Sequence, residues 1–120
     1  MIKVNGLSRR YGAQLALADL SFEVGRGEVV GFLGPNGAGK STTMKILTCS
    51  LAPSSGTASV AGHDILDDPI AVRRKVGFMP ENTPLYPDQT VASYLDFVAE
   101  IKEIDPAGKA VHLDRIIQQT

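Results

Sequence analysis

A single cysteine, Cys49, stands in this chain, so no internal disulfide can form, and with no His or Cys near it in sequence it reads as a small buried residue on a helix rather than a reactive thiol. Tryptophan is absent, aromatic residues make up only 6%, and the formal net charge is −1, without a long run of either sign. That balance leaves no electrostatic footprint for nucleic acid or for an anionic membrane surface, so no nucleic-acid partner is expected. Arg73-Arg74-Lys75 is too short to argue otherwise and reads as a solvated face. The only two histidines, His63 and His112, lack metal-ligand spacing. Long apolar runs are missing too: the longest charge-free stretch, Ile46 to His63, is broken by Pro53, Ser54, Ser55 and Gly56. The opening residues carry Lys3, Arg9 and Arg10 with no apolar block behind them, which excludes a secretory signal and sets the expectation of a cytoplasmic protein.

What is present has the composition of a folded domain, 43% hydrophobic over 120 residues, with no internal repeat or flexible linker. Ile2, Val4 and Leu7 alternate loosely, and Leu15 to Val24 ends in a stricter alternation; both predict strands with one wet face. Val29-Val30-Gly31-Phe32-Leu33 is apolar without alternation, the pattern of a strand covered on both faces, usually a parallel one. A helix from Lys40 to Leu51 follows, then a turn at Pro53 to Gly56, a short strand Thr57 to Ala61, one or two helical turns from Pro69 to Lys75, and a short strand Val76 to Met79 stopped by Pro80. Val91, Tyr94, Leu95, Val98 and Ile101 form one apolar stripe from Thr90 onward. Asp105-Pro106 opens a last helix carrying Ala110, Leu113 and Ile117 on one face.

Between the buried-type strand and the first helix lies Gly34-Pro35-Asn36-Gly37-Ala38-Gly39-Lys40-Ser41, which matches G-x-x-x-x-G-K-[ST] in the setting that a phosphate-binding loop requires. Glycines let successive backbone N–H groups turn inward around phosphate oxygens, and the helix behind the loop directs its positive end at the same anion. Lys40 is expected to reach the β and γ phosphates of a nucleotide, Ser41 to ligate Mg²⁺, and Thr42 to add a donor.

The segment GPNGAGKST, with its surroundings, resembles the ATP-binding-cassette family. The resemblance implies an α/β phosphate-loop NTPase fold, here partial: an antiparallel β subdomain, the loop's strand–helix unit, and the start of a helical subdomain. The boundaries it suggests are 1–88, reaching the family's Q-loop, and 89–120. Tyr11, in LSRRYG, matches the family's adenine-stacking aromatic residue, and SSGTASVAGHDI resembles the strand and turn after the loop helix. VGFMPEN resembles the Q-loop, with Glu81 where glutamine is usual; a carboxylate there keeps metal contact, and a part in catalysis alongside Lys40, while adding charge beside the γ-phosphate.

Glu81, Asn82 and the Pro84-Leu85-Tyr86-Pro87 segment are similar to ATPases of ABC-2-type exporters. The resemblance therefore implies ATP and Mg²⁺ as ligands, and a membrane-spanning partner met by residues around Asn82 to Thr90. It also implies a second cassette domain as a dimer partner, and a place on the cytoplasmic face of a membrane. It covers about the first half of the family's domain: the LSGGQ-like signature, the aliphatic strand ending in Asp-Glu, and the switch histidine have no counterpart here. The expectation is a fragment that binds ATP without hydrolysing it. A nucleotide-binding module without turnover and a soluble, non-transport member of the same family stand as alternatives.

Overall fold

The computed structural model describes every residue except Pro84. The chain divides into two compact units, Met1–Phe78 and Met79–Thr120.

The first unit is built on a four-stranded antiparallel sheet of order β2-β1-β3-β4, comprising β1 (Ile2–Tyr11), β2 (Gln14–Val24), β3 (Ser55–Val60) and β4 (His63–Asp64). β1 and β2 form a hairpin closed at Gly12-Ala13, with Ile2 opposite Val24 and Tyr11 opposite Gln14. The looseness of the Ile2, Val4, Leu7 alternation has a cause. From Val4 to Leu7 β1 takes three steps while its partners run only from Phe22 to Leu20, so β1 carries an extra residue. Gly6 sits in that bulge at φ +57°, where a side chain is strained, and its N–H donates to the Ser21 hydroxyl at 2.8 Å. The bulge returns Leu7 to the face that Val4 occupies, and both are fully buried.

Helix α1 (Lys40–Leu47) lies on this sheet, ending earlier than the sequence pattern suggests, and α2 (Pro69–Lys75) follows β4. Val4, Leu7, Leu17, Ile46, Leu47, Ala58, Val60, Ile65 and Val72 form one continuous core. The two apolar segments expected to be strands, Val29–Leu33 and Val76–Met79, join no ladder among the described residues. A strand exists only within a ladder, and neither segment enters one among the described residues. Within the first, Phe32 packs on Phe22 at 5.6 Å between ring centroids, while Val29 and Leu33 are exposed.

The second unit is a pair of helices, α3 (Val91–Ile101) and α4 (Pro106–Gln119). Their starts are set locally. The Thr90 hydroxyl accepts from Ser93 N–H at 3.2 Å, and the Asp105 carboxylate from Ala107 N–H at 3.0 Å with Pro106 at the first helical position. The apolar stripes meet only in part: Leu95 of α3 and Ala110, Leu113 and Ile117 of α4 line a groove of about 520 Å³. Among the described residues of this unit only Ala99 is buried, and Val91 and Ile101, at the ends of the expected stripe, are exposed. Lys109 bridges the helices, 2.6 Å from Asp96 and 3.7 Å from Glu100; its hydrogen bond to the Asp96 carboxylate raises its pKa. Among the described residues no helix is long and apolar enough to cross a membrane.

Candidate nucleotide site

The loop Gly34 to Gly39 is a chain reversal held by its own backbone, with Ala38 N–H donating to Pro35 C=O at 3.2 Å. It ends at Gly39, which is the N-cap of α1 and takes the left-handed conformation, φ 85° and ψ 4°. Glycine is needed there twice over. A side chain would be strained at that φ, and its Cβ would lie 2.7 Å from the backbone oxygen of Ala16. The end of the loop therefore rests directly on β2.

A glycine cap has no side chain to offer. The first helical hydrogen bond of α1 runs from Thr43 N–H to Gly39 C=O at 2.8 Å, so the preceding N–H groups of Lys40, Ser41 and Thr42 have no acceptor within the helix. Together with the aligned peptide dipoles, they make a place for an anion at this helix end. No acidic side chain stands in the first turn to compete for it.

Lys40 folds back over the loop, its ammonium donating to the carbonyls of Gly34 and, at 2.7 Å, of Pro35. This holds a positive charge at the loop mouth. Ser41 is exposed and Thr42 half-buried, whereas Thr43 is fully buried and donates its hydroxyl to Gly39 C=O at 2.9 Å. Thr43 closes the first turn from beneath. Sequence reasoning passed over it, and only its place third in Ser41-Thr42-Thr43 hints at a helix-start role.

Tyr11 stands at the tip of the β1–β2 hairpin, opposite Gln14, and so two residues along β2 from the Ala16 that meets Gly39. It is 47% exposed, which leaves ring surface available to a ligand. The Arg9 guanidinium lies over its ring, 4.9 Å from the centroid.

Glu81 belongs to the second unit, in an exposed bend. Of the stretch expected to meet a membrane partner, Leu85 and Tyr86 are 62% and 58% exposed, and the Tyr86 ring meets the edge of Phe97 at 6.2 Å. Pro84 lies outside the described residues.

The remaining residues with chemical potential are structural. Cys49 lies beyond the end of α1 rather than on it, in the left-handed region at φ 55°, and burial pushes its thiol pKa up, the opposite of activation. Arg73 donates to the Cys49 carbonyl, and His63 faces Asp68 at 3.2 Å. Among the described residues no three His, Cys, Asp or Glu side chains group to hold a metal.

The model of the ABC transporter family matches residues 17–120. The chain belongs to this family. It is 48% identical over 77 residues to a doxorubicin resistance ATP-binding protein of Mycobacterium tuberculosis, a match covering 62% of this chain and 23% of that protein. It is 42% identical over 95 residues to the Nod factor export ATP-binding protein I of Ralstonia nicotianae, covering 79% of this chain and 30% of the relative. Among solved structures, the ATP-binding subunit of an ABC transporter superposes with a TM-score of 0.80 at 37% identity, over 89% of this chain and 45% of the other. A bacterial ABC transporter cassette, solved as a dimer, superposes at 0.76 and 28% identity over 85% and 48%. The fold is thus that of a phosphate-loop NTPase of the cassette type, in part. The chain spans less than half the length of each of these proteins.

Proposed function

We propose that this chain supplies the ATP-binding part of an ABC transporter ATPase subunit that drives export across a membrane. The observation that carries the reading is the uncapped start of α1 behind a loop whose lysine sits at its mouth. The fit to a polyphosphate rests on that chemistry. Unpaired N–H groups and an ammonium converge where Gly34, Pro35, Asn36, Gly37, Ala38 and Gly39 turn, and a Cβ at Gly39 would not be accommodated. In this reading Lys40 turns from the loop carbonyls to the β and γ phosphates, Ser41 and Thr42 donate to phosphate, and Tyr11 stacks on adenine.

The exposed Ser41 hydroxyl suits a hard oxygen-seeking cation, so the magnesium that accompanies ATP would be held there, with Glu81 as a second oxygen ligand. When bound, it offsets charge between the phosphates. Lys40 and Glu81 are the residues we assign to catalysis in the intact protein. Residues 1–120 contain neither the signature segment nor an aliphatic strand closing on Asp-Glu, so on their own they are expected to bind ATP without turning it over.

The relatives named for drug resistance and for Nod factor export support the exporter reading, and the dimeric cassette supports a second such domain as partner. Exposed Leu85 and Tyr86 support a membrane-spanning partner met around Asn82 to Thr90, and in this reading the protein works on the cytoplasmic face of the membrane. We assign 1–88 to the β and phosphate-loop part and 89–120 to the start of the helical subdomain of a partial cassette.

Calorimetry with Mg·ATP on the intact protein tests the site. A charge-assisted bond contributes roughly 1.5 to 3 kcal/mol and a stacked base about 1 to 3. Lys40→Ala is therefore expected to weaken ATP more than Tyr11→Ala, with Tyr11→Phe close to wild type. Wild-type affinity in Lys40→Ala would remove the phosphate-site assignment.

A further inference from the structure

Tyr11 ends β1, where its pairing with Gln14 is the last rung of the hairpin, so the ladder stops there and the orientation of its ring needs another source. Arg9 supplies one. Its guanidinium covers the Tyr11 ring at 4.9 Å, while its Nη1 donates to the Ala52 carbonyl at 2.9 Å. Ala52 lies in the turn that leaves α1, the helix whose other end carries the phosphate loop. The same turn is tied to β1 on both sides of Arg9, by Ser54 N–H to Ser8 C=O at 2.8 Å and Arg10 N–H to Ser54 Oγ at 3.0 Å. The guanidinium plane is thus held between a fixed carbonyl and an aromatic ring.

Arg9 Nε is buried and finds no acceptor among the described residues. An orphaned buried donor is unfavourable, and a guanidinium placed for hydrogen bonding alone would turn to satisfy it. The plane instead lies against the ring, an arrangement stabilised by the attraction between a cation and the ring's negative face. Only a planar, permanently charged group can do both jobs at once, which lysine cannot.

We propose that Arg9 is a positioning residue for the nucleotide base: it occupies one face of Tyr11 and ties the ring to the end of the phosphate helix, presenting the other face to a purine. The inference rests on the reading that Tyr11 stacks on the base of ATP. A ring already held in place loses less freedom when the base arrives, so Arg9 strengthens binding of the base and not of the phosphates.

The test uses the intact protein and two ligands, Mg·ATP and Mg·tripolyphosphate, which share phosphates but not a base. Arg9→Met is expected to weaken ATP about threefold to tenfold while leaving tripolyphosphate within about twofold. Arg9→Lys, which keeps the charge but not the plane, is expected to fall between wild type and Arg9→Met for ATP. In a Tyr11→Leu background, Arg9→Met is expected to cost no further ATP affinity. Equal loss for both ligands would mean that Arg9 only staples the turn to β1, and an undiminished loss in the Tyr11→Leu background would also overturn the inference. If Tyr11→Leu weakens ATP while Arg9→Met does not, the inference alone falls. If Tyr11→Leu binds ATP like wild type, the stacking reading falls and takes the inference with it.

Discussion

The two units bury their apolar residues very differently. Among the described residues every fully buried hydrophobic side chain but Ala99 belongs to Met1–Phe78, although α3 has the more strongly apolar stripe of the two helices after Met79. A sheet with a helix laid on it gathers side chains from five elements, from Val4 on β1 to Val72 on α2, into one core. Two helices of 11 and 14 residues can offer each other only one face apiece, and the sides remain wet. The unit with the core also holds the phosphate loop, whose end rests on β2 at Ala16 and opens α1; a loop that must present N–H groups in fixed directions depends on such rigid support.

The sharpest way to break this contrast is to remove the same kind of side chain from each unit. Leu7 is fully buried in the first core, and Leu7→Ala is expected to cost about 3 kcal/mol, from lost transfer energy and the cavity left behind. Ile117 is 52% exposed on α4, and Ile117→Ala is expected to cost well under about 1 kcal/mol. Hydrogen exchange on the intact protein, read at the amides of β1 and of α4, measures both. Comparable losses at the two positions would mean that α4 has a core of its own.

A smaller effect sharpens the contrast from the other side. Where packing is thin, local interactions should carry a larger share of stability, so the cap of α4 ought to matter. Asp105→Ala is expected to lower helix stability by about 1 kcal/mol, with Asp105→Asn nearly neutral. Helicity by circular dichroism on the intact protein, with exchange at the α4 amides, would register it; an unchanged α4 would show that packing against Leu95 and its neighbours suffices.

The smallest expected effect concerns acid. Asp64 accepts from Leu66 N–H at 2.7 Å and Asp67 N–H at 3.3 Å, and from the Thr57 hydroxyl at 2.8 Å. Its pKa is lowered chiefly by the Leu66 N–H, against a smaller opposing effect of burial. A carboxylate with a depressed folded pKa stabilises fully above its ordinary value of 3.8, and that contribution is lost as pH falls through the folded value. Thermal melts from pH 7 downward should show Asp64→Asn less acid-sensitive than wild type below about pH 4. The difference will be slight, because the carboxylate is partly solvated. Parallel curves for the two proteins would assign the acid response to other groups.

Much of the molecule was determined by the sequence within a few residues at a time. The phosphate loop is legible in its own glycines, Lys40 and the helix start behind it. Thr90 and Asp105 cap the helices that follow them by bonds to residues two or three positions on. Such features are legible because their energies come from backbone conformation and near neighbours.

What only the tertiary structure decided depends on pairings between distant segments. The apolar run Val29–Leu33 reads as a strand, yet strand character is a property of a pair, and here no described residue supplies the partner. The break between Val4 and Leu7 became a bulge only once β2 fixed the register across it. Arg9 meets Ala52 across 43 residues of sequence, and Gly39 meets the backbone of Ala16 by a fold that no local pattern encodes. Local dihedral preferences set the parts; side-chain packing and ladder hydrogen bonds between remote segments set which parts touch, and hence how the ring of Tyr11 is held.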